Sequence, residues 1–429
     1  MRPWHFRGRI FQKTKGVCQM TLRQDADTII NAALNAAQPD TAVRKALSET
    51  RFGEGKLVLI AAGKAAWKMA KAAYDELGTR IDDGVVITKY DHVMGPIGSL
   101  KLFEAGHPVP DENSYKATEA AIAAVSGLSS RDTVLFLLSG GGSALFEKPL
   151  IPAEDLDRLT HELLACGAEI TEMNTVRKRF SAVKGGKFAM IAYPAKVFSV
   201  ILSDIIGDPL DMIASGPAYP DSSTMEQAQA IAERYHLTLS DQMKALLKVE
   251  TPKALPNVET HVTGSVRQLC LVAENVCRSL GYQPVTLTAS LSCTARDAGE
   301  FLANIAQYHR DSTKSLAFIA GGETVVHLTG KGLGGRNQEL ALAAAPGIAG
   351  IDGAAVFSFG SDGTDGPTDA AGGYTDQTTC ERLKEQGIEV YDVLQNNDAY
   401  HALQKVDGLI MTGPTGTNVN DLSVLLIKR

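Results

Sequence analysis

Residues 132–146, "DTVLFLLSGGGSALF", join an apolar run to three glycines and the start of a helical pattern. The run from 133 to 138 shows no alternation of polar and apolar residues, which is typical of a strand buried on both faces of a sheet. Glycine follows at once, where a chain that leaves a sheet turns sharply toward a helix. The stretch predicts a buried parallel strand followed by a glycine turn.

The same pattern recurs on both sides of this stretch. "KLVLIAAGKAAWKMAKAAYDEL" predicts a strand at 56–61, a turn at Gly63 and a helix to Leu77, and "AKVFSVILSD" predicts another buried strand. Continuous apolar strands that alternate with helices indicate a parallel sheet covered on both faces. The fold class expected for this part is therefore a Rossmann-like α/β/α sandwich.

The length of 429 residues exceeds what one ordinary core supports, so two domains are expected. The stretch 248–261 has two prolines and no clear period, which favours a linker. We therefore predict a first domain at 25–255 and a second, mixed α/β domain at 256–429, whose last strand could return to the first domain. Residues 1–24 form a basic tail, expected to be disordered; a transit peptide or a start at Met20 are alternatives.

Composition narrows the classes of partner. The net charge of −7 argues against general affinity for nucleic acid or for an anionic membrane. No apolar run is long enough to span a bilayer. The six cysteines are scattered and form no C-x-x-C pair, which favours a reducing, cytoplasmic compartment. Small molecules are the expected partners, and a homodimer is one assembly compatible with the sequence.

"LTGKGLGGRNQELALAAA" (328–345) contains G-x-G-x-x-G, the pattern of a dinucleotide-binding turn. Two observations weigh against a nicotinamide site. The runs at 316–320 and 324–329 flank Gly321-Gly322 and predict an antiparallel hairpin, whereas a dinucleotide turn belongs to a parallel βαβ unit. Moreover, no acidic residue closes the next predicted strand, where the ribose contact is expected: Asp352 lies before the strand at 354–360, and Asp362 lies about 30 residues beyond Gly332.

Other segments carry groups suited to anions. Lys64 follows a predicted strand, where sheet enzymes place ligands. The turn Ser139–Ser143 exposes backbone N–H groups and two hydroxyls suited to phosphate. The basic stretch 174–189 is compatible with a solvated helix face or with an anion-binding turn.

Carboxylates follow two further strands. Asp204 and Asp208 lie in one glycine- and proline-containing loop, and Asp362 lies in another. Such residues suit Mg²⁺ held jointly with substrate phosphates, or a general base, while Asx turns are the structural alternative. Anion turns, cations and loop carboxylates without a nucleophile motif fit phosphoryl transfer, which depends on positioning and charge stabilisation.

Together with "FGSDGTDGPTDAAGG" and "MTGPTGTNVNDL", these stretches closely resemble the class II glycerate 2-kinases, which carry a C-terminal MOFRL-type domain. The resemblance runs from about residue 25 to the end. It implies transfer of the ATP γ-phosphoryl group to the 2-hydroxyl of D-glycerate with Mg²⁺, giving 2-phosphoglycerate and ADP. It also implies an active site in the cleft between two α/β domains.

The resemblance also assigns roles to residues of this chain. The implied catalytic residues are Lys64, Arg336 and Asp204. The implied phosphate and ATP contacts are Ser139, Gly140, Gly141, Gly142, Ser143, Lys184 and Gly185. The implied substrate contacts are Arg177, Glu323 and Asn337. The candidate metal ligands are Asp204, Asp208 and Asp362.

Two other functions stay open at this point. Members of the family have also been labelled hydroxypyruvate reductases, an activity that would need NAD(P)H. A non-catalytic protein that binds a phosphorylated metabolite would use the same anion turns but would show no turnover.

Overall fold

Residues 21–203, 207 and 210–429, which a computed structural model describes, contain two six-stranded sheets covered by helices. The predictions for the N-terminal tail up to residue 20, for Asp204 and for Asp208 lie outside the described residues. The strands are β1 (Leu57–Ala62), β2 (Asp83–Lys89), β3 (Lys101–Ala105), β4 (Thr133–Leu138), β5 (Lys196–Leu202), β6 (Val258–Gly264), β7 (Gln283–Leu291), β8 (Leu316–Gly322), β9 (Ala354–Gly360), β10 (Gly372–Asp376), β11 (Leu409–Ile410) and β12 (Asp421–Ile427).

The helices connect and cover these strands. They are α1 (Leu22–Ala36), α2 (Pro39–Ser48), α3 (Ala66–Leu77), α4 (Glu112–Val125), α5 (Gly142–Leu145), α6 (Ala153–Ala165), α7 (Ile170–Arg177), α8 (Lys187–Ala192), α9 (Met225–Arg234), α10 (Asp241–Leu246), α11 (Val266–Ser279), α12 (Ala295–Tyr308), α13 (Arg336–Ile348), α14 (Thr379–Glu385), α15 (Val390–Gln395) and α16 (Ala399–Lys405). No helix of the described residues is long and apolar enough to cross a membrane.

The first sheet is parallel throughout, in the order β3-β2-β1-β4-β5-β6. Its central strands β1 and β4 are buried along their whole length, as their continuous apolar sequences predict. Helices α2 and α3 pack on one face, and α4 and α8 on the other. The predicted Rossmann-like sandwich is confirmed, and its strand order is that of the dinucleotide-binding fold.

The second sheet is mixed, in the order β11-β10-β9-β12-β8-β7. β12 runs antiparallel between β9 and β8, while β7 runs parallel to β8. Because β12 occupies the middle of this sheet, the last strand does not return to the first domain, and that expectation is wrong. Helices α1 and α11 cover one face, and α12 and α13 cover the other.

Two elements belong to the domain other than the one to which the predicted boundary at residue 255/256 assigns them. Strand β6, which begins inside the predicted linker, pairs with β5 and completes the first sheet. Helix α1 packs against α11 and the second sheet, where Asp25 accepts hydrogen bonds from Tyr282 and Lys428. The chain therefore contributes its first described helix to the second domain and only then forms the first domain.

The antiparallel hairpin predicted at Gly321-Gly322 is wrong. β8 pairs with β7 and β12, and residues 324–329 form no strand. Their one recorded pairing is an isolated bridge between Val325 and Thr294. The true partner β12 lies about a hundred residues further along the chain, where a local sequence pattern gives no sign of the pairing.

Candidate active site

The loops that follow β1 and β4 meet at the carboxyl edge of the first sheet. The Lys64 backbone N–H donates to the Gly140 carbonyl at 2.9 Å, and the Ala65 N–H donates to Ser139 Oγ at 3.1 Å. β1 and β4 are neighbours from which the strand order runs in opposite directions, and such a switch point leaves a crevice for ligands. Lys64 and the glycine turn therefore lie where this fold binds its ligands.

Two glycines make the close approach of these loops possible. Gly63 has φ +124°, and a Cβ there would overlap Ser139. Gly141 has φ +86°, and a Cβ there would lie 3.0 Å from the His107 ring and 3.1 Å from Lys64 Cγ. Larger residues would push the Lys64 loop and the glycine turn apart.

A cavity of about 420 Å³ opens above this edge. On the side of the first domain it is lined by Lys64, Lys68, Lys89, His92, Ser139 and Gly140. The second domain contributes Asp362, Pro414, Gly416, Thr417 and Asn418. The volume suits a small-molecule ligand, and the position agrees with the interdomain cleft expected from the resemblance.

The first-domain wall of the cavity favours anions. Lys64, Lys68 and Lys89 bring three ammonium groups to it. Burial, with the charges of Lys64 and Lys89, lowers the pKa of His107, and burial with Lys89 lowers the pKa of His92. Both imidazoles are therefore neutral near pH 7, and the three lysines supply the positive charge that a phosphorylated ligand requires.

Two of these lysines were not among the predicted site residues. Lys68 lies in the first turn of α3, and Lys64 lies in the turn just before that helix, so both line the cavity from the same end of α3. Lys89 is the last residue of β2 and reaches the same edge of the sheet. The rule that identified Lys64, a cation at the carboxyl end of a strand, would also have identified Lys89.

Asp362 faces these lysines from the second domain. One of its carboxylate oxygens accepts the Thr364 N–H at 3.1 Å, and Asp362 forms no ion pair with the described residues. Three metal-binding side chains do not cluster anywhere in the described part of the chain. Mg²⁺ needs only one or two protein carboxylates when phosphates complete its coordination, so Asp362 fits a shared Mg²⁺ site.

Arg336 begins α13, and two carboxylates hold its guanidinium. Its Nε donates to Asp421 at 2.6 Å and its Nη2 donates to the other oxygen of Asp421 at 3.0 Å. Its Nη1 lies 2.8 Å from Glu323. The guanidinium of this predicted catalytic residue is thus bound to Asp421, and Glu323, a predicted substrate contact, pairs with Arg336.

The N-terminus of α13 is occupied by a carboxylate of the protein itself. Asp365 accepts the N–H groups of Asn337 and Gln338 at 3.1 and 2.8 Å. Asn337 is buried, and its side chain contacts Asp365 and Ser358, so its predicted substrate contact is not borne out by this geometry. A dinucleotide pyrophosphate would compete with Asp365 for the same donors.

The glycines of G-x-G-x-x-G serve packing instead. A Cβ on Gly330 or Gly332 would overlap the backbone of residues 396–398, and a Cβ on Gly335 would overlap Asp365. The motif lets its loop pass close to the turn before α16. This packing and the position of Asp365 therefore weigh against a nicotinamide site, whereas the predicted hairpin does not exist.

Lys184 and Gly185 do not line the cavity, contrary to the expectation of a phosphate contact. Lys184 is fully buried; it pairs with Glu147 and donates to the Ser143 carbonyl at 2.7 Å. Burial lowers the pKa of Lys184 to about 8, against the opposing charge of Glu147. The Gly185 N–H donates to the Ser215 carbonyl. Both residues support the glycine turn from beneath.

The far end of the glycine turn leads away from the cavity. A Cβ on Gly142 would press on Ala214. Ser143 Oγ lies 3.2 Å from Ser215 Oγ, which donates to Asn174. On the neighbouring turn of α7, Arg177 Nε is buried and has no hydrogen-bond partner among the described residues. Of the predicted turn contacts, only Ser139 and Gly140 line the cavity.

Two family models match the chain. Residues 25–248 match a domain of unknown function, DUF4147, and residues 316–421 match the MOFRL family. The first covers most of the parallel sheet, and the second begins at β8 and ends where β12 begins.

Three relatives match almost the whole chain. A D-glycerate 2-kinase from Thermotoga maritima is 51% identical over 95% of this chain and 99% of its own length. A glycerate 2-kinase from Pyrococcus horikoshii is 39% identical over 95% of this chain and 98% of its own length. A protein from Agrobacterium vitis, provisionally named a hydroxypyruvate reductase, is 39% identical over 98% of this chain and 99% of its own length.

Solved structures agree with these matches. The crystal structure of a Thermotoga maritima glycerate kinase superposes with a TM-score of 0.90 over 95% of this chain and 99% of that one. The crystal structure of a protein from Pyrococcus horikoshii, 39% identical, gives the same TM-score and coverage.

Proposed function

The chain belongs to the glycerate 2-kinase family, and we propose on this basis that it transfers the γ-phosphoryl group of ATP to the 2-hydroxyl of D-glycerate, giving 2-phosphoglycerate and ADP. The observation that carries the proposal is the near-complete match to the Thermotoga enzyme. The cleft supports it independently, because its groups are those that phosphoryl transfer uses.

In the proposed reaction, the first domain binds the phosphates. Lys64, Lys68 and Lys89 neutralise the triphosphate, and the backbone of Ser139 and Gly140 lies against it. Trp67 and Met94 line the same cavity and give an apolar surface for the adenine ring. Because charge spreads over the oxygens of the moving phosphoryl group, fixed cations lower the barrier without any covalent intermediate.

The second domain supplies a carboxylate. Asp362 is the described residue that we assign to Mg²⁺, which neutralises phosphate charge when bound. Asp204 and Asp208 remain proposed ligands from the first domain. Asp204 also remains the proposed base for the glycerate hydroxyl.

Arg336 and Arg177 remain proposed contacts of the acceptor and of the moving phosphoryl group. Asp421 and Glu323 accept hydrogen bonds from three N–H groups of Arg336. The other N–H groups of the guanidinium can still donate to an anion. Arg177 has a buried Nε without a partner among the described residues, which suits a carboxylate of the substrate.

The hydroxypyruvate reductase name of the Agrobacterium relative defines the competing function. It would require a nicotinamide site, and the glycine motif that suggests one packs against residues 396–398. We therefore place the kinase first and retain the reductase as the alternative to be measured.

A coupled assay for ADP with D-glycerate, L-glycerate and tartrate tests the proposal, with the product position determined by ³¹P NMR. We expect ADP only with Mg²⁺ present and a phosphate on the 2-hydroxyl of D-glycerate. Oxidation of NADH by hydroxypyruvate measures the alternative. NADH oxidation without ADP formation, or ligand binding without either turnover, would reject the kinase.

Lys64→Ala should lower kcat/KM by on the order of 10² or more, because it removes a cation from the phosphates. Lys71→Ala is the matched control, since Lys71 lies on α3, the helix that follows Lys64, and pairs with Asp75 at the surface. Equal losses in both variants would remove Lys64 from the proposed site.

We further propose that the enzyme acts in the cytoplasm on small molecules. The five described cysteines are all unpaired, which suits a reducing compartment. A homodimer remains a proposal.

A further inference from the structure

A loop of the second domain contributes to the cavity wall across from the three lysines. It covers residues 412–420, "TGPTGTNVN", which connect β11 to β12 and contain no charged side chain. We call these residues the cleft loop. Four of them line the cavity: Pro414, Gly416, Thr417 and Asn418.

Alternate residues of the cleft loop are anchored away from the cavity. The Thr415 hydroxyl donates to the Ser361 carbonyl at 2.5 Å, and the Val419 N–H donates to Ser361 Oγ at 2.8 Å. Between them, the Thr417 hydroxyl donates to the Ala37 carbonyl at 2.8 Å. These bonds fix the conformation of the loop before any ligand binds.

The residues between the anchors present backbone N–H groups to the cavity. Gly416 and Asn418 are exposed in its wall, and their N–H groups have no hydrogen-bond partner among the described residues. Gly416 has φ +76°, in the left-handed region. Backbone N–H groups beside such a residue can bind an anion together.

Lys68 reaches the cleft loop from the first domain. A Cβ added to Gly416 would overlap Lys68 Nζ, so the ammonium group lies directly against the backbone of Gly416. Lys68 forms no hydrogen bond and no ion pair with any other described residue. An ammonium group and backbone N–H groups are all donors and cannot satisfy one another, whereas an anion between them would accept from both domains.

We propose that Lys68 and the N–H groups of Gly416 and Asn418 form a phosphate site that joins the two domains and holds the β- and γ-phosphates of the nucleotide. The assignment rests on the proposed kinase function and adds a second-domain contact to phosphates that the first domain also binds. Trp67 lies beside Lys68 in the cavity wall, and its Nε1 donates to the Gly95 carbonyl at 2.9 Å. This bond fixes the indole next to the phosphate site, where a nucleotide base can stack on it.

Binding of a non-hydrolysable ATP analogue tests the proposal without requiring turnover. The fluorescence of Trp67 reports binding, and Trp4→Phe removes the only other tryptophan of the chain. In this background, Lys68→Ala and Gly416→Ala should each weaken binding by about tenfold or more, because each takes the ammonium group away from the phosphates. AMP, which lacks the β- and γ-phosphates, should bind to all variants with the same affinity.

Gly413→Ala is the matched control. Gly413 lies in the same loop with φ +66°, but a Cβ there would meet nothing within 4 Å. Both alanine variants therefore carry similar backbone strain, and only Gly416→Ala displaces Lys68. The control should bind the ATP analogue nearly as tightly as the parent protein, and circular dichroism should show that all variants are folded.

A double-mutant cycle tests whether Lys68 and Gly416 belong to one site. In Lys68→Ala/Gly416→Ala the added methyl group has no ammonium group to displace, so this protein should bind the analogue about as weakly as Lys68→Ala alone. Fully additive losses would mean that Gly416 acts without Lys68 and would overturn the shared site.

Two other results would also overturn the proposal. One is equal binding of the ATP analogue by Gly416→Ala and Gly413→Ala. The other is a Lys68→Ala protein that binds the analogue normally but has lost affinity for D-glycerate, since the site would then hold the acceptor. The kinase function is tested separately: a protein that binds the analogue as expected but forms no 2-phosphoglycerate would reject the kinase while supporting the phosphate site.

Discussion

The two cations that the resemblance implies are held very differently. Lys64 has no ion-pair partner among the described residues and lines the cavity, whereas Arg336 is fixed by Asp421 and Glu323. A free lysine can follow a moving phosphate, while a fixed guanidinium presents its charge at one place. The two residues therefore suit different parts of the reaction.

Arg336→Ala should lower kcat/KM by on the order of 10² or more if Arg336 stabilises the moving phosphoryl group. It should also lower the free energy of unfolding by roughly 2–4 kcal/mol, because Asp421 would remain as a nearly buried charge without a partner. Kinetics with urea unfolding measure both effects.

The double variant Arg336→Ala/Asp421→Asn separates the two effects. It should regain most of the stability, because the nearly buried charge of Asp421 is removed and Glu323, which also loses its partner, is half-exposed, but it should not regain activity. If activity returned with stability, Arg336 would serve only to neutralise Asp421.

The predicted residues that line the cavity are those that closely follow a strand of the sheet. Lys64, Ser139 and Gly140 lie there because parallel strands end at one edge. Lys184 lies elsewhere, because a basic residue beside glycines has the same local pattern whether it faces a ligand or a buried glutamate. Only the fold brings Glu147 to it.

A strand could be predicted from the sequence when its own residues show on which faces it is buried. β1 and β4 are buried on both faces, so their sequences are continuously apolar. β6 is half exposed, and its sequence "VETHVTG" does not stand out from a loop. β12 decides the pairing of β8 but lies far along the chain, so the local pattern suggested a hairpin instead.

The short helix α5 depends on a buried ion pair beneath it. Lys184→Met should lower the free energy of unfolding by about 3–5 kcal/mol, because Glu147 would stay buried without its partner. Lys184→Met/Glu147→Leu should regain most of this loss and keep kcat/KM within about tenfold of the wild type, since two apolar residues can replace a buried pair. Urea unfolding and the coupled assay provide the measurements.

The same double variant distinguishes support from catalysis. A well-folded Lys184→Met/Glu147→Leu protein that had lost nearly all turnover would mean that the Lys184 ammonium acts on phosphate after all.

On the scale of the whole molecule, the two proposed catalytic cations come from different domains. Lys64 lines the cavity between the domains, whereas Arg336 begins α13 of the second domain and is not among the described residues that line the cavity. If both act on one phosphoryl group, we expect the domains to approach each other when ligands bind. Small-angle scattering should then show a smaller radius of gyration with D-glycerate and a non-hydrolysable ATP analogue than without ligands.

Lys64→Ala provides the control for this movement, because it removes a first-domain contact with the phosphates while leaving the fold unchanged. Its radius of gyration should change less at the same ligand concentrations. An unchanged wild-type value at saturating ligand would mean that Arg336 acts outside the reaction.

The position of α1 has a consequence for how the protein is made. The ribosome releases α1 near the beginning, but Asp25 finds its partner Tyr282 only 257 residues later and Lys428 only 403 residues later. At translation speeds of about 5–20 residues per second, roughly 10–50 s pass between the synthesis of α1 and the synthesis of Tyr282, the first of the two partners. During that time the whole parallel sheet emerges and can fold. The first helix of the described residues is therefore among the last to dock, and it is a natural site for a chaperone to hold the nascent chain.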